Sequence, residues 1–459
     1  MKVTDMTSGS PVRLILTFAV PLFIGNVFQQ IYSMVDTMIA GYNLGDDAIA
    51  AIGATSALYG LLINLASGLN SGYAIVITQR FGAHDEKKLR GSIAGTVVLD
   101  AGITVALTAL SLIFLKPLMR FMNTPDAIFT EAYKYIAVIC AGMAATVCYN
   151  MFAGILRAVG NSRAPLYFLM ISSALNIALD LLFVAVLKTG VSGAAFATVI
   201  AQAVSAALCG VYVFKKYRAI LPSRDDFREC RKTFSELLPQ GIAMGLMLCV
   251  VDLGSVIFQR ANNDLGESII SAHTAARRII VIMMQPLGTI STASSTFVGQ
   301  NFGARKLSRI KFALKRVMLM EIAWSAFSCA LIFLFGGALV RFTTGTEDIE
   351  IVENAVTSLR WHLSFFPVLG CLLALRTAMQ AMGRKLAPII SSCLELGMKI
   401  LSAAILIPRL GFLGTCVTEP FTWVIMFAFL GGAYLAIRKR VFPDNENDIL
   451  KGAVNYDGT

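Results

Sequence analysis

Twelve apolar runs constrain this chain more than any other feature. They fall at about residues 13–40, 50–78, 91–115, 131–156, 165–187 and 192–214, then at 236–260, 269–298, 313–335, 356–381, 386–407 and 411–437. Each exceeds the ~18 residues that mark a membrane-crossing helix. Hydrocarbon offers a bare backbone no hydrogen bonds, so such runs fold as helices that pair their own N–H and C=O groups. Composition agrees: 56% of the 459 residues are hydrophobic and 15% are charged, where a soluble domain carries about a quarter charged. The expected fold is an all-α polytopic membrane protein with twelve transmembrane helices in two parallel-repeat bundles of six. The first run is too long for a signal-peptide core and is expected to stay as the first helix.

The charges set the topology. A net charge of +11 would point to nucleic acid in a soluble protein. Here the basic residues lie in loops, so membrane orientation accounts for them and no nucleic-acid partner is expected. Arg80, Lys87, Lys88 and Arg90 follow the second run, seven basic residues lie within 215–232, and Arg305, Lys306, Arg309, Lys311, Lys315 and Arg316 follow the eighth. Arg438, Lys439 and Arg440 follow the twelfth, whereas loop 41–50 has none and loop 260–268 only Arg260. Twelve crossings put every basic-rich loop on one side, the cytoplasm, together with both termini. The expected location is the cell membrane. The expected division is a six-helix lobe over 1–218, a cytoplasmic loop over 219–235, a second six-helix lobe over 236–440 and a cytoplasmic tail over 441–459, polar and without a motif from Pro443. The nine cysteines are scattered without a C-x-x-C pair and read as small buried hydrophobes.

The halves repeat. Gln79-Arg80-Phe81-Gly82-Ala83 returns as Gln300-Asn301-Phe302-Gly303-Ala304, and Gly190-Val191-Ser192-Gly193 returns as Gly411-Phe412-Leu413-Gly414 at the same offset. Ala158-Val159-Gly160 with Pro165 matches Ala381-Met382-Gly383 with Pro388 at a slightly longer one. Six crossings per half bring the second half in from the same side, so the repeats are parallel. Transporters use such paired bundles for alternating access, and nothing resembles a carbonyl ion filter.

Ionisable residues inside spans are unfavourable and mark function. The first span carries Asn26, Gln29, Ser33 and Asp36 at spacings of three and four, a polar stripe on one helical face. The fifth carries Asn176 and Asp180 at i, i+4. Helix rise places the two acids at similar depth in the outer half of the first bundle, ~7 and ~10 Å inside the outer end. Such a cluster can bind a proton, or offer hard oxygen ligands to sodium; both remain open. The second half offers Asp252, Arg277, Arg278 and Glu395 as substrate-cavity candidates, beside Asn26, Gln29, Ser33 and Met34 in the first. Glu395 with Lys399 at i+4 also reads as a structural pair. Asp100 and Glu321 read as structural. Asp36 and Asp180 have no acidic counterpart at the repeat offset, so the buried charges are expected not to follow the repeat. Methionine-rich spans suit a promiscuous cavity, and aromatic faces attract organic cations.

The chain resembles the multidrug and toxic compound extrusion (MATE) family over about residues 11–440. The resemblance rests on Pro21, Val35-Asp36-Thr37, Gly41, Leu44-Gly45, Gln79 to Ala83, Leu156-Arg157-Ala158-Val159-Gly160, Asn176 with Asp180, Gly190 to Ala195, and Gln300 to Ala304, in that order. It implies a twelve-helix, two-lobed antiporter that exports cationic or amphipathic compounds in exchange for inward protons or sodium ions. It also implies a cation-coupling role for Asp36, Asn176 and Asp180, and no cofactor. Some branches of the family use acids in the seventh and tenth spans. Here no acid lies between Trp361 and Ala381, and Asp252 is far past Pro239, so no second-lobe ion site is carried over.

The expected partners are small organic cations or amphipaths and the bilayer, with the protein acting as a monomer. A flippase or exporter of lipid-linked oligosaccharide is the alternative transporter. An intramembrane enzyme is disfavoured, since H-E-x-x-H, G-x-S-x-G and a phosphate loop are all missing.

Overall fold

The computed structural model describes residues 5–441, apart from the side chains at 46, 47 and 437–441. Residues 442–459, which hold the expected tail, lie outside the described residues, as do the side chains of Arg438, Lys439 and Arg440. Among the described residues every regular element is a helix. In order the helices are α1 (Pro11–Leu44), α2 (Asp46–Gly82), α3 (Glu86–Phe121), α4 (Asp126–Ala141), α5 (Met143–Ala158), α6 (Arg163–Asp180), α7 (Val191–Lys216) and the short α8 (Arg224–Glu229). Then come α9 (Phe234–Asn263), α10 (Glu267–Gly303), α11 (Leu307–Thr344), α12 (Ile349–Ser364), α13 (Phe366–Ala381), α14 (Leu386–Leu401), α15 (Ile407–Leu410) and α16 (Phe412–Val441).

Among the described residues, ten stretches are long and apolar enough to cross a membrane, and two bent pairs bring the number to twelve. The fourth and tenth runs of the sequence are these pairs. α4 and α5 meet at 46°, α12 and α13 at 48°. The two breaks have different chemistry. At Gly142 an added Cβ would collide with the Val199 side chain, so α7 closes on the bare backbone. At Phe365 the helix stops because Pro367 follows in the first turn of α13, lacking the N–H that a continuing helix needs.

The fifth and eleventh runs share another departure. α6 passes after Asp180 into a widened turn over Leu181–Val186, where the Leu187 N–H donates to the Leu182 carbonyl at 2.8 Å. α14 does the same over Ser402–Leu406. Wide turns of this kind are rare and concentrate at functional sites. The repeat also appears in the backbone at the turns. His84 and Arg305, which correspond under the repeat, have φ of 55° and 57°, a left-handed conformation unusual for side-chain-bearing residues.

The helices form two compact units. One holds Thr17–Cys249, the other Met6–Leu16 with the chain from Val250. In the first, α2 packs on α3, α4 and α5, and α7 on α4, α5 and α6. Ile136, Cys140, Met143 and Val147 belong to one of its apolar cores. In the second, α10 packs on α11, α12 and α13, while α16 covers α12, α13 and α14. The loop after α7 is ordered by a capping box in which Ser223 and Asp226 bond reciprocally. Burial works against the Asp226 charge. The Ser223 N–H and hydroxyl and the Arg90 guanidinium outweigh it and hold this carboxyl below the usual range.

Candidate functional site

α1 enters the first unit with its polar stripe intact. Gln29 and Ser33 are exposed, and Asn26 and Asp36 half-buried. α6 brings Asn176 and Asp180 in from the side, 1% and 0% exposed. The spacing of four keeps them on one face, and Asp180 is the last residue before the widened turn. The Asp36 and Asp180 carboxyl groups are adjacent and interact. No amide, hydroxyl or cationic donor reaches either Asp180 oxygen, and both polar atoms of the Asn176 side chain are buried without a partner. Two carboxylates are acceptors only. Held together, with Asp180 fully buried, they repel, and a proton or a cation between them relieves the repulsion.

Beside the pair lies a cavity of about 530 Å³ whose lining includes Gln29, Ser33, Asp36, Tyr59, Tyr135 and Thr198. Tyr32 joins it and bonds to the Thr198 hydroxyl. The cavity thus sets one carboxyl among three phenols. Sequence reasoning named Asp36, Gln29 and Ser33 but passed over the tyrosines. Tyr32 stands four residues before Asp36, a spacing that puts it on the same helical face. Tyr59, Tyr135 and Thr198 come from α2, α4 and α7, and no local spacing signals them. Met34 is 56% exposed, and neither it nor Asn26 lines this cavity.

The second unit holds the other candidates, and two of the four, Arg277 and Glu395, are engaged in ion pairs with side chains outside that set. Arg277 on α10 donates to both Glu419 oxygens on α16, at 2.8 and 2.9 Å. His362 on α12 approaches the same carboxylate at 3.5 Å. Glu395 on α14 accepts from Lys399 at 3.0 Å and lies 3.9 Å from Arg376 on α13. Lys399 also donates to Ser255 on α9 at 3.1 Å. Arg278 is exposed and Asp252 half-buried. Among the described residues, no group of three or more His, Cys, Asp or Glu side chains could hold a metal.

The MatE family model matches residues 21–182 and again 243–405, once in each half. A probable multidrug resistance protein of Bacillus subtilis, YpnP, is 26% identical over 389 residues, covering 84% of this chain and 86% of that one. An FAD transporter of Shewanella oneidensis is 22% identical over 420 residues, covering 90% and 92%. Among solved structures, a crystal structure of MATE in the bent conformation superposes with a TM-score of 0.87 at 23% identity, over 96% of this chain and 99% of the other.

Proposed function

The chain belongs to the MatE family of membrane transporters, and from that premise we propose that it is a secondary antiporter. It exports cationic or amphipathic organic compounds in exchange for inward protons or sodium ions. One observation supports this reading above the others: the contact of half-buried Asp36 with buried Asp180, one helical turn from the unpartnered Asn176 amide. Asp36 and Asp180 hold the coupling cation, and the Asn176 carbonyl oxygen adds a neutral ligand. The phenol-lined cavity beside Asp36 takes the organic compound, whose positive charge is drawn to the carboxyl and whose body packs on the rings. Cation and compound then compete for one pair of negative charges. The protein works as a monomer in the cell membrane with both termini in the cytoplasm.

The decisive experiment measures uptake of an organic cation into everted vesicles, with and without sodium at fixed pH, for the unchanged chain and for Asp36→Asn. The substitution removes one charge of the pair at nearly constant volume, and export is expected to fall to background at unchanged protein level. Full export by Asp36→Asn would sink the reading. Collapse on sodium removal identifies sodium as the coupling ion; indifference to sodium identifies the proton. The relative that transports FAD sets the competing substrate class, an anionic dinucleotide. Competition by FAD but by no organic cation would replace the cationic substrate.

A further inference from the structure

The two halves carry one buried acid each at the same place in the repeat. Asp100 on α3 and Glu321 on α11 are related by the same offset as the helix-end motifs, and so are their partners, Asn70 on α2 and Ser291 on α10. Each acid stands 14 residues past the start of its helix, about 21 Å along the axis. Asn70 Nδ2 donates to Asp100 Oδ1 at 3.2 Å, and Ser291 Oγ donates to Glu321 Oε1 at 3.0 Å. A second bond from Asn70 Nδ2 to the Ala66 carbonyl sets the orientation of that amide. Asp100 is 4% exposed and Glu321 0%. In both, the second oxygen, Asp100 Oδ2 and Glu321 Oε2, is buried with no partner. The expectation that buried charges ignore the repeat fails at this one position.

The surroundings match as well. A Cβ on Gly370 would lie 2.7 Å from the Glu321 Cβ, so the longer acid occupies room that only glycine leaves. At the slightly longer offset that relates α5 to α13, the counterpart of Gly370 is Val147, in the half with the shorter acid. The titratable neighbours of Asp100 are the Tyr73 phenol of α2 and the Cys148 thiol of α5; that of Glu321 is the Cys371 thiol of α13. Cys148 and Cys371 are themselves counterparts at that offset. Among the described residues, α4 and α12 add no titratable neighbour, and no cation pairs with either acid.

A lone carboxylate in such a place lacks both water and a countercharge, and the neutral acid is the form the site accepts. A metal cation would need several oxygen ligands, whereas each acid meets one side-chain donor on one oxygen and nothing on the other. That is the pattern of a carboxylic acid, a bonded carbonyl oxygen and a separate hydroxyl. A hydrogen bond alone could be supplied by Asn or Gln. An acid in both copies, at two lengths with the space adjusted to each, supplies an exchangeable proton. We propose that Asp100 and Glu321 are a matched pair of proton-binding sites, one in each unit, separate from the Asp36–Asp180 contact. Each is filled while its helices enclose it and emptied when water reaches it. The use of these protons in transport rests on the exporter reading; their binding does not.

The test is an infrared pH titration of the purified full chain, following the carbonyl band of protonated carboxyl groups. A component that fades as pH rises is expected, reduced in Asp100→Asn and in Glu321→Gln and missing from the double variant. Glu321→Asp is expected to keep the component with a shifted midpoint, which serves if the amide variants do not fold. Titration curves that coincide for all variants and the unchanged chain would overturn the proposal. Tetraphenylphosphonium transport in proteoliposomes under an imposed pH gradient gives the second readout. It is expected to fall at least about tenfold, or 1.4 kcal/mol, in the amide variants and to persist in Glu321→Asp. Full transport by Asp36→Asn would refute the exporter reading and leave the titration result standing. Loss of transport in Asp36→Asn, with coincident titration curves, would do the reverse.

Discussion

Glu395 sits between two cations that are nearly out of reach of water: the side chains of Lys399 and Arg376 are 4% and 10% exposed, and that of Glu395 14%. As a residue in isolation it looks like a substrate contact; in place it balances positive charge. Removing one member of a buried ion pair leaves an uncompensated charge and typically costs about 3–5 kcal/mol. Glu395→Gln is therefore expected to lower stability by ~3 kcal/mol, read as a drop in melting temperature of the detergent-purified protein. Adding Lys399→Met should recover most of that loss, because the second substitution removes one of the stranded charges. A Glu395→Gln protein of unchanged stability would return Glu395 to the substrate candidates. Asp36 and Asp180 show the opposite balance, two acids together without a cation, which is why they read as a site and Glu395 as a strut.

At the scale of elements, the small residues decide where backbones touch. Within the first unit α2 and the first half of α9 meet at two glycine pairs. A Cβ at Gly68 would fall 2.6 Å from the Gly245 Cα, and one at Gly72 would fall 2.5 Å from the Gly241 Cα. The obstacles are backbone atoms, so no rotamer change can relieve them and the helices must separate. Gly72→Ala is expected to destabilise by ~1–3 kcal/mol. Gly60→Ala, on the same helix with nothing within 4 Å of an added Cβ, should be neutral or stabilising by up to ~1 kcal/mol through helix propensity. Thermal unfolding of both variants checks the contrast, and equal effects would refute it. The bent spans make a related point. Gly142 and Phe365 occupy equivalent places and break their helices by 46° and 48° through unrelated chemistry, so the bend belongs to the architecture and not to a residue type.

At the scale of the whole molecule, residues Met6–Leu16 belong to the same unit as the second half of the chain. The Met6 N–H donates to Gln300 Oε1 at 2.9 Å, and the Met6 carbonyl accepts from Asn301 at 3.0 Å and Arg309 at 3.2 Å. Lys306 donates to the Thr7 carbonyl at 2.9 Å. Met6 is 0% exposed, so these bonds satisfy backbone groups that water does not reach. The helix-end motif Gln300-Asn301-Phe302-Gly303-Ala304, recognised in the sequence as a repeat landmark, thus also seats the N-terminal segment. Asn301→Ala is expected to cost ~1–3 kcal/mol, because the buried Met6 carbonyl loses the shorter of its two bonds and the Arg309 Nε–H loses its acceptor, Asn301 Oδ1. The same change at its repeat counterpart, Arg80→Ala, breaks an ion pair with Glu236 whose side chains are 27% and 51% exposed, and should cost under ~1 kcal/mol. Melting temperatures of the two variants in detergent separate these outcomes.

The apolar runs alone dictate helices, because lipid leaves an unpaired backbone no other solution, and glycine, proline and loop landmarks were enough to reveal the two related halves. Asp36, Asn176 and Asp180 are legible as candidates because a charged or amide side chain in an apolar span stands out wherever it lies in space. Other features are set by contacts between distant segments and carry no periodicity of their own. Tyr59, Tyr135 and Thr198 reach one cavity from three helices. Lys399 and Arg376 converge on Glu395, and Asp100 and Glu321 share their setting because each half closes around its acid in the same way. Spacing along a chain reports which residues share a helix face; which faces meet, and whether a buried charge finds a partner there, is decided only when the helices pack.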